Sequence, residues 1–117
     1  GFRDAFFSSP YTFDFAKMLD ISLDRNLVGI YNFGSSEPLS KYQFSIELSR
    51  LFHFNDSLIR PVSIDDFDLK AKREKNLSLN VDKFIRATGY TPPTLCESIR
   101  NFYRDHTTGL PEKIGKI

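Results

Sequence analysis

The sequence predicts a small mixed α/β domain on three observations. Amphipathic helical spacing recurs four times, two of those helices open with a capping box, and short extended or β-branched runs separate them. A chain of 117 residues fits one domain with a core of moderate size.

Residues 1–11 read as an irregular or extended arm ending in Ser8-Ser9-Pro10. Thr12 then caps a helix, Asp14 suits its first turn, and Phe15, Ala16, Leu19 and Leu23 form an apolar stripe expected to face the core as far as Arg25. Asn26 ends that helix. Val28-Gly29-Ile30-Tyr31-Asn32-Phe33, bounded by Gly34-Ser35-Ser36, predicts a buried strand. Ser40 and Gln43 have capping-box spacing and open a helix to about Phe52, with Phe44, Leu48, Leu51 and Phe52 on one structural face and His53 at its end. Residues 58–64 carry Pro61 and predict an edge strand or extended segment. Asp65-Asp66-Phe67-Asp68 lacks the glycine turn and terminal glutamate of a calcium loop and reads as a solvated acidic loop. Asn80 caps a short helix with Val81, Phe84 and Ile85, closed by a left-handed Gly89 onto which Tyr90 folds back. Thr94 and Glu97 form the second capping box, for a helix with Leu95, Ile99, Phe102 and Tyr103 on one side. The expected domain spans residues 1–106, and residues 107–117 read as a loose tail.

Composition excludes several classes of function. A net charge of +1, with 16 basic and 15 acidic residues interleaved, provides no long-range field for nucleic acid. A single cysteine, Cys96, rules out an intrachain disulfide, and with two histidines it leaves too few ligands for zinc. Its place near a helix start favours the thiolate slightly, but a buried or half-buried structural thiol is the expectation. No apolar run is long enough to span a bilayer and no secretory leader is evident, so a reducing, cytoplasmic setting is the default.

The most informative stretch is Lys72-Arg73-Glu74-Lys75-Asn76-Leu77-Ser78-Leu79-Asn80-Val81-Asp82-Lys83-Phe84, which sets a fixed cation before a short polar loop and a new helix. The arginine fork fits phosphate oxygens, and Asn76 adds a neutral hydrogen bond. The bland alternative is a solvated basic surface of Lys70, Lys72, Arg73 and Lys75, balanced by Asp65, Asp66 and Asp68.

From Asp4 to His106 the chain resembles the C-terminal, substrate-binding part of the extended short-chain dehydrogenases, closest to the dTDP-4-dehydrorhamnose reductase family. The resemblance rests on Asp4 through Ser9-Pro10-Tyr11-Thr12, Asp14-Phe15-Ala16, Gly29-Ile30-Tyr31-Asn32-Phe33-Gly34, Leu39-Ser40-Lys41-Tyr42-Gln43-Phe44, Pro61-Val62 and Arg73 through Phe84, in the family's order. Three departures stand out. Glu74 replaces the usual proline after the arginine, the loop from Asp4 to Pro10 is one residue longer, and Leu77 replaces a small polar residue.

The resemblance implies a nucleotide-sugar substrate held in a cleft against a missing N-terminal Rossmann half, which holds NAD(P)H and the catalytic tyrosine. None of the five tyrosines is followed four residues later by lysine, and the six glycines are too scattered for a cofactor loop. This chain alone is therefore expected to bind no cofactor and to have no catalytic residue. Implied substrate contacts are Arg73, with Asn76 next to it, for the diphosphate or nucleotide, Tyr11 or Thr12 for the sugar or nicotinamide end, and Tyr42 as a wall of the nucleotide pocket. Thr12 serves equally as a helix cap, Ser40 chiefly so, and Lys83 reads as a helix-surface charge. A homodimer of the parent enzyme stays open. So do two other readings, an extended-family epimerase or dehydratase, and a non-catalytic regulatory relative like the methionine adenosyltransferase beta subunit.

Overall fold

The amino-terminal arm is the spine of the structure. Phe6–Phe7 (β1) lies between Leu39–Ser40 (β2), antiparallel, and Asn76–Leu77 (β3), parallel, with Phe6 opposite both Ser40 and Asn76. Phe2 makes a further parallel bridge to Val62, where Arg3 N–H donates to the Val62 carbonyl at 2.9 Å. The segment around Pro61 is thus extended, as expected, between two single turns of 3-10 helix at Asp56–Leu58 and Ile64–Asp66.

The computed structural model describes residues 1–71 and 73–115. Among them are five helices: Thr12–Asp24 (α1), Lys41–Leu51 (α2), Asp82–Thr88 (α3), Leu95–Thr107 (α4) and Leu110–Ile114 (α5). With the sheet they make a small mixed α/β domain. No helix of the described residues is long and apolar enough to cross a membrane.

Local chemistry explains most helix ends. Ser40 Oγ accepts from Gln43 N–H while Gln43 Oε1 accepts from Ser40 N–H, and Thr94 with Glu97 repeats the arrangement at the start of α4. Asn26 and Gly89 take the left-handed conformation, with φ of 50° and 72°, just past the ends of α1 and α3. The N-cap of α3 is Val81, not the expected Asn80, and no side chain caps that helix; Asn80 Oδ1 accepts from Asp82 N–H at 2.8 Å in the turn before it, and Tyr90 packs edge-on against Phe84.

Four further expectations are corrected. Thr12 is the first residue of α1, and no side chain caps that helix. The stripe of Phe15, Leu19 and Leu23 faces solvent, because α1 buries its other side through Asp14 and Met18. Residues 28–33 form no strand: Val28 and Ile30 are 88% and 85% exposed, and none of residues 28–34 joins a backbone–backbone hydrogen bond among the described residues. A strand needs a neighbour for its N–H and C=O groups, and here none is present. The carboxy-terminal stretch is mostly helical rather than loose, with α4 reaching Thr107, α5 following, and Gly109 at φ 72° between them. Positions 116 and 117 of that stretch, and Lys72, lie outside the described residues.

The buried apolar core is small, formed by Ala5, Met18, Ile64, Val81, Phe84, Leu95 and Ile99. Polar ties supplement it. Ser98 Oγ and Asn101 Nδ2 on α4 donate to the two oxygens of the buried Asp14 carboxylate on α1, at 2.6 and 3.0 Å. A buried carboxylate held this way is satisfied and fixes the start of α1 against α4.

Candidate functional site

Two concavities flank β1. The larger, of about 610 Å³, lies between the turn at residues 64–69 and the segment at residues 71–76. Its two sides are held together from behind by Asp4. One Asp4 oxygen accepts from Ile64 N–H at 2.9 Å, the other from Ser63 Oγ at 2.6 Å, and Lys75 Nζ approaches that same oxygen at 3.1 Å. Phe6 N–H donates to the Lys75 carbonyl at 2.7 Å, so the arm and the Arg73 segment run side by side. The Ser63 and Ile64 hydrogen bonds, with Lys75 beside them, hold the Asp4 carboxyl well below the usual carboxylate range. Lys75 also pairs with Asp65, and its two carboxylate partners push its ammonium pKa up.

Arg73 and Asn76 both line this larger concavity. Arg73 is exposed, and among the described residues it forms no ion pair. Asn76 lies in β3 rather than in a loop, and its carboxamide oxygen accepts from Ser78 N–H and Ser78 Oγ at 3.0 and 2.6 Å. Its NH₂ group is the part left to meet a ligand. The charge balance is mixed: Asp65, Asp68 and Glu74 share the lining with Arg73 and Lys75. Because Lys75 is engaged with Asp4 and Asp65, Arg73 is the one lining cation not already paired among the described residues.

The smaller concavity, of about 300 Å³, is apolar and lies where the loop before α1 meets α2 and α4. Pro10, Tyr11 and Thr12 line it together with Phe7, Phe44 and Leu95. Tyr11 is half-buried, with its ring 5.5 Å from Phe13 and 5.6 Å from Phe102. Burial, and then the Asp105 carboxylate, push the Tyr11 phenol above its usual range.

No protein-family model matches this chain, and no curated protein matches it. The site is therefore read from its residues.

The structure groups Arg73 with Asn76 and Tyr11 with Thr12, in separate concavities. Tyr42 lines neither. Its amide donates to the Phe2 carbonyl at 3.0 Å, which ties it to the arm instead. Lys83, expected as a surface charge, donates to the Ile30 carbonyl at 2.7 Å and lies 4.4 Å over the Tyr31 ring. With Asn32 Nδ2 donating to the Asn80 carbonyl at 3.0 Å, side chains alone hold the unpaired 28–33 run in place. Cys96 keeps its proton, because burial pushes the thiol up and outweighs its position near the helix start.

The positive-φ glycines Gly29, Gly89 and Gly109 sit at three separate turns, none of them joining a strand to a helix N-terminus. Among the described residues no cluster of His, Cys, Asp or Glu has the makings of a metal site. Sequence reading missed Lys75 and Phe67 in the lining of the larger concavity, and Asp4 as the tie behind it. The only available signal was the clustering of Phe67 and Lys75 around Arg73, since Asp4 lies 59 positions from Ser63.

Proposed function

We propose that this chain is the nucleotide-sugar-binding part of a larger cytoplasmic NAD(P)H-dependent reductase of the dTDP-4-dehydrorhamnose reductase type, acting in deoxysugar biosynthesis. The observation that carries the reading is the open flank. Phe15, Leu19 and Leu23 on α1, and Val28 and Ile30 in the run that follows it, are exposed, and among the described residues that run has no backbone partner. Such a surface suits a chain whose neighbour lies outside it.

On this reading Arg73 grips the diphosphate with the Asn76 amide beside it, and Tyr11 and Thr12 face the sugar end. Fixing the substrate in one orientation lowers the entropic barrier to reaction, so the chain contributes position. The residues present do not fit the cofactor, and the redox chemistry belongs to the part outside this chain.

The test is turnover by the full-length protein with NADPH or NADH and a dTDP-4-keto-6-deoxysugar. Sugar-dependent oxidation of the nicotinamide, with a reduced deoxysugar as product, is expected, and the isolated chain should reduce nothing. An epimerised product, or dTDP-sugar binding with no turnover, would replace the reductase reading by the epimerase or the regulatory one.

A further inference from the structure

The larger concavity holds more than an anion contact. Opposite the Arg73 segment lie Ile64, Phe67 and Leu69, an apolar wall in which Phe67 is 49% and Leu69 37% exposed. An aromatic ring left half open at a concavity needs a reason, since burial elsewhere would stabilise it. Phe67 is not loosely placed. Phe2 packs against it in a T-shaped contact at 5.5 Å and 82°, and its backbone is tied by Phe67 N–H to the Ile64 carbonyl and by Leu69 N–H to the Phe67 carbonyl. One side of the ring is thus fixed while the rest meets the concavity.

Charge limits what can fill this space. With Lys75 engaged by Asp4 and Asp65, a phosphate group is favoured only near Arg73, and Asp68 and Glu74 repel further negative charge elsewhere in the lining. The rest of the occupant must be neutral, flat enough to lie on Phe67, and able to donate hydrogen bonds to a carboxylate. A nucleoside meets all three conditions, with its base on the ring and its hydroxyls or base N–H groups toward Asp68. The volume of about 610 Å³ lies within the usual range for small-ligand sites.

We propose that Phe67 is the stacking platform for the base of a nucleoside diphosphate whose phosphates reach Arg73. This rests on the nucleotide-sugar reading above and gives Phe67 the place that the sequence resemblance gave to Tyr42.

Titration of the full-length protein with dTDP and, separately, with inorganic pyrophosphate tests it. Phe67→Ala should weaken dTDP about tenfold and leave pyrophosphate within about twofold, because base–aromatic stacking is lost and the anion contact kept. Phe67→Tyr, which retains the ring, should keep the dTDP affinity and shows that the fold tolerates change there. Equal weakening of both probes by Phe67→Ala, or none for dTDP, overturns the platform. If Arg73→Ala weakens dTDP while Phe67→Ala does not, the platform fails and the nucleotide-sugar reading stands. If neither substitution changes dTDP affinity, both fail.

Discussion

Ser98→Ala should destabilise the chain even though it removes a single oxygen atom. Ser98 is 2% exposed, and its hydroxyl donates at 2.6 Å to the Asp14 carboxylate, itself 9% exposed. The substitution deletes a charge-assisted hydrogen bond and strips one carboxylate oxygen of its donor, leaving Asn101 on the other at 3.0 Å. Loss of such a bond costs about 2 kcal/mol. Alanine is the better helix former inside α4, which returns about 0.4 kcal/mol. The net loss of about 1.6 kcal/mol corresponds to a Tm lower by about 6 °C for a chain of this size. Urea denaturation should show a lower midpoint with an unchanged slope. The decisive control is a double-mutant cycle. In an Asp14→Ala background, Ser98→Ala should be neutral or slightly stabilising, since no carboxylate remains to be served. An unchanged midpoint for Ser98→Ala alone, or the same loss in both backgrounds, would refute the claim that this carboxylate pins α1 to α4.

Two further outcomes follow from named contacts. Asp4 has its pKa depressed on folding by Ser63, Ile64 and Lys75, so its stabilisation is present in full above its ordinary value of 3.8 and is lost as pH falls below it. The urea midpoint of the wild type should therefore drop more steeply between about pH 4 and pH 2 than that of Asp4→Asn, and equal slopes would remove Asp4 as the clamp. Ile30→Lys, at a position 85% exposed, should leave the stability of the isolated chain within about 0.5 kcal/mol but destabilise the full-length protein, as differential scanning calorimetry of the two would show.

What the sequence made legible was local. The Ser40–Gln43 and Thr94–Glu97 boxes and the stops at Asn26 and Gly89 depend on residues within a few positions of each other, and the structure places them as read. The errors arise where a long-range partner decides. Residues 28–33 have strand-forming residues but no strand beside them. The apolar stripe of α1 has helical spacing, yet the face that packs is the one carrying Asp14 and Met18, because Ser98 and Asn101 stand 84 and 87 positions away. The sequence places Asn76 in a loop because nothing local reveals that Phe6 pairs with it. Arg73 was legible as a cation of interest, but the aromatic wall opposite it was not, since Phe67 stood in a run whose carboxylates dominated its reading. The residue types were visible in each case, and the geometry that joins them comes from the arm at residues 2–7.

The central claim is that the larger concavity holds the diphosphate of a nucleotide sugar through Arg73. Calorimetric titration of the full-length protein with dTDP, wild type against Arg73→Ala, tests it most directly. Loss of a charge-assisted phosphate contact of about 2 kcal/mol predicts affinity weaker by about thirtyfold. Equal affinities would return Arg73 to the solvated surface and contradict the account.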